Sequence, residues 1–109
     1  MDDQVLYQEI GQLLVDSGPV NAQKITVRAK IFPNNDGGRY EFDYIDDVGG
    51  LSWFNPDSRA VGDLTDTLVK LRNFFAKNNL SSGEKIWSEC EINLDVKNMK
   101  IGIDFKYGE

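Results

Sequence analysis

Carboxylates and a single thiol are the side chains in this sequence that could do chemistry. Histidine is absent, so there is no Ser-His-Asp or Cys-His unit and no His-ligated zinc, iron or copper site. Asp43, Asp46 and Asp47 form an Asp-x-x-Asp-Asp group, whose oxygens are the ligand type a hard cation such as Mg²⁺ prefers. The simpler reading is an acidic turn, because Asp46-Asp47 runs directly into Val48-Gly49-Gly50. Glu89 and Glu91 are two apart on an alternating run and project from one face. That spacing permits the roughly 5–9 Å separation of a glycosidase pair. No sugar-binding cleft or source of a raised pKa accompanies them, so a solvated strand face explains them more simply. The turn Asn34-Asn35-Asp36-Gly37-Gly38 lacks the ligand spacing of a calcium loop, and no helix follows Gly49-Gly50 to make a phosphate cradle. The expectation is a protein that is not an enzyme and needs no cofactor or metal.

The only cysteine, Cys90, rules out an internal disulfide and a cysteine-based zinc site. It lies on the apolar side of its strand, where burial raises the thiol pKa and leaves it inert. The tryptophans are more informative. Trp87 heads the same alternating run as Glu89 and Glu91, and alternation assigns it to their polar face. Trp53-Phe54 lies between Gly-Gly and Asn-Pro. Two readings stay open for each tryptophan: a rim residue covering the end of the core, or an aromatic anchor of a binding surface.

The length of 109 residues suits one domain over 1–109, and 40% hydrophobic content with six Phe, four Tyr and two Trp is enough for a real core. Acidic residues outnumber basic ones 18 to 12, a net charge of -6. A general phosphate-backbone binder or an anionic-membrane binder needs the opposite balance. The acidic start Met1-Asp2-Asp3-Gln4 does not read as a secretory signal, and no apolar run approaches ~20 residues. These features predict a cytoplasmic protein with no nucleic-acid or membrane partner.

The elements that must position these residues follow from periodicity. Asp2 to Ser17 places Leu6, Ile10, Leu13 and Leu14 on one helical face, capped by Asp2 or Asp3 and stopped by Gly18-Pro19. Lys24 to Phe32 alternates, with Ile25, Val27, Ala29 and Ile31 on the apolar side. After the turn at 33–38, Tyr40, Phe42 and Tyr44 alternate with Arg39, Glu41 and Asp43, which predicts an antiparallel hairpin. Leu51 to Phe54 is a candidate short third strand. Ser58 to Asn78 is helical, with Val61, Leu64, Leu68, Leu71 and Phe75 on one face, Asp57 or Ser58 as cap and Asn78-Asn79 at its end. Ile86 to Val96 and Met99 to Tyr107 form a second hairpin, with Ile86, Cys90, Ile92, Leu94 and Val96 inward.

Each strand thus has one apolar and one polar side, and each helix one apolar stripe. The predicted fold is α+β: a single antiparallel sheet of four or five strands with both helices on one face, in the order α-β-β-(β)-α-β-β. The opposite face is open and carries acids beyond the first strand. Carboxylates beside Trp87, bordered by Asp46 and Asp47, suit docking to a basic partner.

The chain resembles the YezG-like family of bacterial immunity proteins. The resemblance is carried by the helix Leu6-Tyr7-Gln8-Glu9-Ile10-Gly11-Gln12-Leu13-Leu14, the aromatic strand Tyr40-Glu41-Phe42-Asp43-Tyr44 and the helix ending in Phe74-Phe75. Trp87 before a charged strand and the close Lys100-Ile101-Gly102-Ile103-Asp104-Phe105-Lys106-Tyr107 complete it. It spans most of the chain as a pattern of elements and aromatics, although the chain is short for the family and compressed around Gly49-Gly50. It transfers no functional residue by position. It implies a protein that binds a cognate toxin domain, a nuclease with a basic cleft, in a stoichiometric heterodimer and occludes it. No small-molecule substrate is expected. The residues expected to make the contact are Asp43, Asp46, Asp47, Trp53, Trp87, Glu89 and Glu91. The alternative is a small acidic adaptor or regulatory domain, or a homodimer formed through the same face.

Overall fold

The computed structural model describes residues 3–32, 37–77 and 87–106. It contains α1 (Asp3–Ser17), β1 (Ala22–Ile31), β2 (Gly38–Asp46), β3 (Leu51–Trp53), α2 (Ser58–Lys77), β4 (Glu89–Asp95) and β5 (Lys100–Lys106). The strands form one five-stranded sheet in the order β3-β2-β1-β4-β5. Every neighbouring pair is antiparallel. The α+β expectation therefore holds, with Leu51–Trp53 as a true third strand. Residues 33–36 of the expected turn at 33–38, the cap at Asp2, the helix end at Asn78-Asn79, and Ile86 and Tyr107 lie outside the described residues, and Gly38 already belongs to β2.

Local chemistry explains the helix ends. Gly18 N–H donates to the Leu14 carbonyl at 2.9 Å and closes α1. A Cβ there would lie 2.7 Å from that same oxygen, so the close approach requires glycine. At the start of α2, Asp57 is the cap: its Oδ1 accepts from Ala60 N–H at 2.8 Å.

The core lies between the helices and one sheet face. Leu6, Ile10 and Leu14 of α1 and Leu64, Leu68, Leu71 and Phe75 of α2 pack on Ile25, Val27, Ala29, Ile31, Phe42, Ile92 and Leu94. The alternation predicted for β1 appears as its burial pattern, interrupted by a bulge between Ala22 and Lys24. Nine-tenths or more of Arg72 is also covered, and it donates to the Phe32 carbonyl at 3.3 Å. Burial lowers its guanidinium pKa.

Trp87 corrects the sequence reading. Alternation puts it on the polar face with Glu89 and Glu91, but β4 begins only at Glu89, so strand periodicity does not extend to it. Its indole is fully buried. It lies 4.9 Å from the Phe105 ring and 6.2 Å from Phe75, and the Phe75 and Phe105 rings are 4.6 Å apart. These three rings close one end of the core. Trp87 is therefore a packing residue and is not available as a surface contact.

Candidate functional site

The site residues are best followed along the chain from Asp43. Asp46 ends β2, and its carboxylate organises the next turn. Oδ1 accepts from Val48 N–H at 3.0 Å and from Gly50 N–H at 2.7 Å. The backbone closes the same turn, with Asp46 N–H donating to the Gly50 carbonyl at 2.9 Å. Gly49 sits at φ 85, a left-handed conformation that favours glycine. Asp46 is thus engaged in its own turn, the simpler of the two readings of the Asp-x-x-Asp-Asp group. Among the described residues, no group of three carboxylate or thiol side chains is placed to hold a metal ion.

That turn folds β3 back onto β2, in the register Ile45↔Leu51, Tyr44↔Ser52 and Asp43↔Trp53. Cross-strand partners share a face, so Trp53 and Leu51 stand on the open side beside Asp43 and Ile45. Trp53 is 68% exposed, Leu51 75% and Val48 86%. Phe54 turns the other way and packs on Phe42 and Tyr44, with ring separations of 5.5 and 5.8 Å. This anchors β3 from beneath. A hollow of about 320 Å³ opens beside Trp53, lined in part by Arg28, Glu41, Asp43 and Asn55.

Arg28, on β1, organises the charges next to this patch. Its Nε donates to Glu41 at 2.8 Å and its Nη2 to Asp43 at 2.6 Å. Those two hydrogen bonds, Glu41's first, push its pKa further up and keep it charged. Glu41 and Asp43 are two apart on β2, which lets one guanidinium reach both. Sequence reasoning counted Arg28 on this face but did not see this role. The available signal was the hairpin register that sets Arg28 opposite Glu41.

The rest of the open face is laid out in rows across the strands. One row runs Glu41, Arg28, Glu91, Asp104, and the adjacent one Arg39, Lys30, Glu89, Lys106. Glu89 is 3.6 Å from Lys30. With Lys24, Lys100, Asp43 and Asp95 included, the face carries six residues of each sign, and Asp46, whose carboxylate is bound into the turn at the end of β2, is a seventh acid at its border. The open face is therefore striped and balanced, where a net acidic platform was expected. The excess negative charge lies elsewhere, in part along a groove between α1 and the start of α2 where Glu9, Asp16, Asp57 and Asp63 surround Arg59.

Of the seven expected contact residues, Asp43, Asp46, Asp47 and Trp53 come together at the β2–β3 corner. Glu89 and Glu91 lie on the same face but across β1, and Trp87 lies in the core. Leu51 and Val48 complete the corner; sequence reasoning left them out because neither a three-residue strand nor a turn is long enough to show a period. No protein-family model matches the chain, and no curated protein matches its sequence. Among the described residues, no helix is long and apolar enough to cross a membrane.

Proposed function

We propose that this protein is a cytoplasmic, non-enzymatic binding protein of the immunity type, which neutralises a cognate toxin domain, a basic nuclease, by stoichiometric occlusion. The observation that carries this reading is the β2–β3 corner. An indole 68% exposed stands opposite a carboxylate on a rigid ladder, with two further large apolar side chains exposed beside it. Exposed aromatics of this kind are enriched as interface anchors. Glu41, Asp43, Asp46 and Asp47 around it outnumber Arg28, the cation bonded to two of them. Charge speeds encounter with a basic partner and the apolar patch slows release. A stable interface needs roughly 1,200–2,000 Å² in total, so the contact extends beyond the corner onto the sheet face or the outer edge of β3.

The test is co-expression with the product of the adjacent upstream reading frame, taken as the candidate toxin. Wild-type protein restores growth and co-purifies with the toxin in equal amounts. Trp53→Ala combined with Asp43→Lys loses both while keeping the wild-type unfolding midpoint. Full protection by that double variant removes the corner from the interface, and no protection by the wild type removes the immunity reading.

A further inference from the structure

β5 forms one border of the sheet, and among the described residues no strand covers its far side. The ladder determines which of its backbone groups are left over. Ile31 N–H donates to the Ser88 carbonyl, and Val96 N–H to the Gln23 carbonyl. Residues of β4 in phase with Ser88 and Val96 therefore turn to β1, and Glu89, Glu91, Asn93 and Asp95 turn to β5. Their partners Lys106, Asp104, Gly102 and Lys100 spend their backbone groups inward. The N–H and C=O groups of Ile101, Ile103 and Phe105 consequently point outward. Free edges are usually blunted by bulges, proline, extreme shortness or charged side chains. β5 has seven residues, no proline and an unbroken register with β4; its charges are of both signs, so they repel a foreign strand less than they match a correctly registered one.

Two features of this strand are unfavourable within one chain. Asp104 stands directly opposite Glu91, a like-charge pair that destabilises a ladder, and it forms no ion pair with a described residue. Gly102 sits mid-strand, where glycine weakens a sheet, although a Cβ there would meet nothing within 4 Å. A second strand alongside that sets a cation opposite Asp104 and adds a ladder across Gly102 offsets both.

We infer that β5 pairs antiparallel with β5 of a second copy of this chain, with the two-fold axis at Gly102. Gly102 then faces its own counterpart, and Ile101 faces Ile103 of the second copy. The isoleucines are the outward-pointing residues, so these pairs exchange the hydrogen bonds. Lys100 faces Asp104 of the second copy and Asp104 faces its Lys100, giving each uncompensated aspartate a cation. Charge and overlap together select this register. An axis at Ile103 sets Lys100 against Lys106, an axis at Asp104 sets two aspartates together, and an axis at Phe105 pairs Lys106 with Asp104 but overlaps the two strands over 104–106 alone. The two sheets become continuous, and both β2–β3 corners remain free at the outer ends. The inference does not rest on the proposed toxin contact.

A single strand pair buries less than the usual ~1,200 Å², so association is expected in the micromolar range. Sedimentation of the full chain across that range should show the mass doubling with concentration. Amide exchange at Ile101 and Ile103 should slow as it does so. Asp104→Lys should raise the dimer dissociation constant at least about tenfold, which is about 1.4 kcal/mol. It should not lower the unfolding midpoint, because it replaces the Glu91–Asp104 repulsion by attraction. Adding Lys100→Asp to Asp104→Lys should restore the dimer. A single-chain mass at every concentration overturns the inference, as does Asp104→Lys dimerising like the wild type. Unchanged exchange at Ile101 and Ile103 in a dimer places the contact elsewhere and also overturns it.

Discussion

The indole of Trp87 and the ring of Phe105 pack 4.9 Å apart at an interplanar angle of 43°, which joins the approach to β4 with the end of β5. Phe75, near the end of α2, completes the group, so one aromatic cluster ties a helix to the second hairpin. The indole Nε1 of Trp87 is buried with no hydrogen-bond partner among the described residues. The ring's packing area outweighs that cost, because an unmet donor costs roughly 1–3 kcal/mol while a large buried aromatic contributes more.

Trp87→Ala should therefore destabilise the protein by about 3–5 kcal/mol, measured by urea unfolding. Trp87→Phe should cost clearly less, since it keeps most of the ring and removes the unmet donor. Equal losses for the two variants would show that the indole nitrogen is engaged after all.

The two tryptophans should also separate in fluorescence. A Trp53→Phe variant retains only the buried indole, and its emission should be blue-shifted and resistant to iodide. A Trp87→Phe variant retains the exposed one and should be readily quenched. Similar quenching of both would contradict the burial difference of 0% against 68%.

Most of the fold was legible because burial on one side leaves a period in the sequence. Ile25, Val27, Ala29 and Ile31 alternate, and Leu64, Leu68, Leu71 and Phe75 recur at helical spacing, as the positions they occupy in the core require. Trp87 was misplaced because alternation was continued past the point where β4 starts. A residue before a strand points where the incoming chain sends it. The charge balance of the open face was equally hidden, since it depends on which strands are neighbours. β1 contributes cations, and its position between β2 and β4 sets Arg28 among Glu41, Asp43 and Glu91. Leu51 gave no exposure signal because a three-residue strand is too short to show a period.

Burial pushes the Cys90 thiol up from 9.0 to about 12. At pH 8 the native protein should resist thiol reagents and react only as fast as it opens. The unfolded thiol ionises near its ordinary value while the folded one stays neutral. This contribution to stability is thus complete below about pH 9 and is lost as pH rises toward 12. A Cys90→Ala variant, less stable at neutral pH through the lost sulfur packing, should show a shallower loss of stability over that interval. Parallel stability–pH curves for the two proteins would count against the shift.

Arg28 bridges two carboxylates, yet all three side chains are substantially exposed, at 44%, 69% and 28% for Arg28, Glu41 and Asp43. Exposed pairs contribute about 0–1 kcal/mol. Arg28→Met should scarcely move the urea midpoint. It should instead leave Glu41 and Asp43 uncompensated beside Trp53 and speed association with a basic partner at low salt. That gain should fade as ionic strength rises. A large stability loss with no change in association rate would make the arginine a structural residue alone.

The two halves of the open face can be separated by charge reversal. Glu89 lies in a row with Arg39, Lys30 and Lys106, so reversing it leaves a wholly basic stripe; Glu91 stands between Arg28 and Asp104, so reversing it relieves one repulsion and creates another. Glu89→Lys with Glu91→Lys should accordingly fold with a modest loss of stability, since exposed charge contacts are worth about 0–1 kcal/mol each, while converting the middle of the face from balanced to positive. If the partner spreads from the β2–β3 corner across the sheet, the double reversal should weaken binding, and the loss should shrink as salt rises. If the contact is confined to the corner, Trp53→Ala should abolish binding while the double reversal changes only the association rate. Unchanged affinity for the double reversal, with only the association rate altered, would exclude β4 from the contact and confine the partner to the corner and the neighbouring β3 edge.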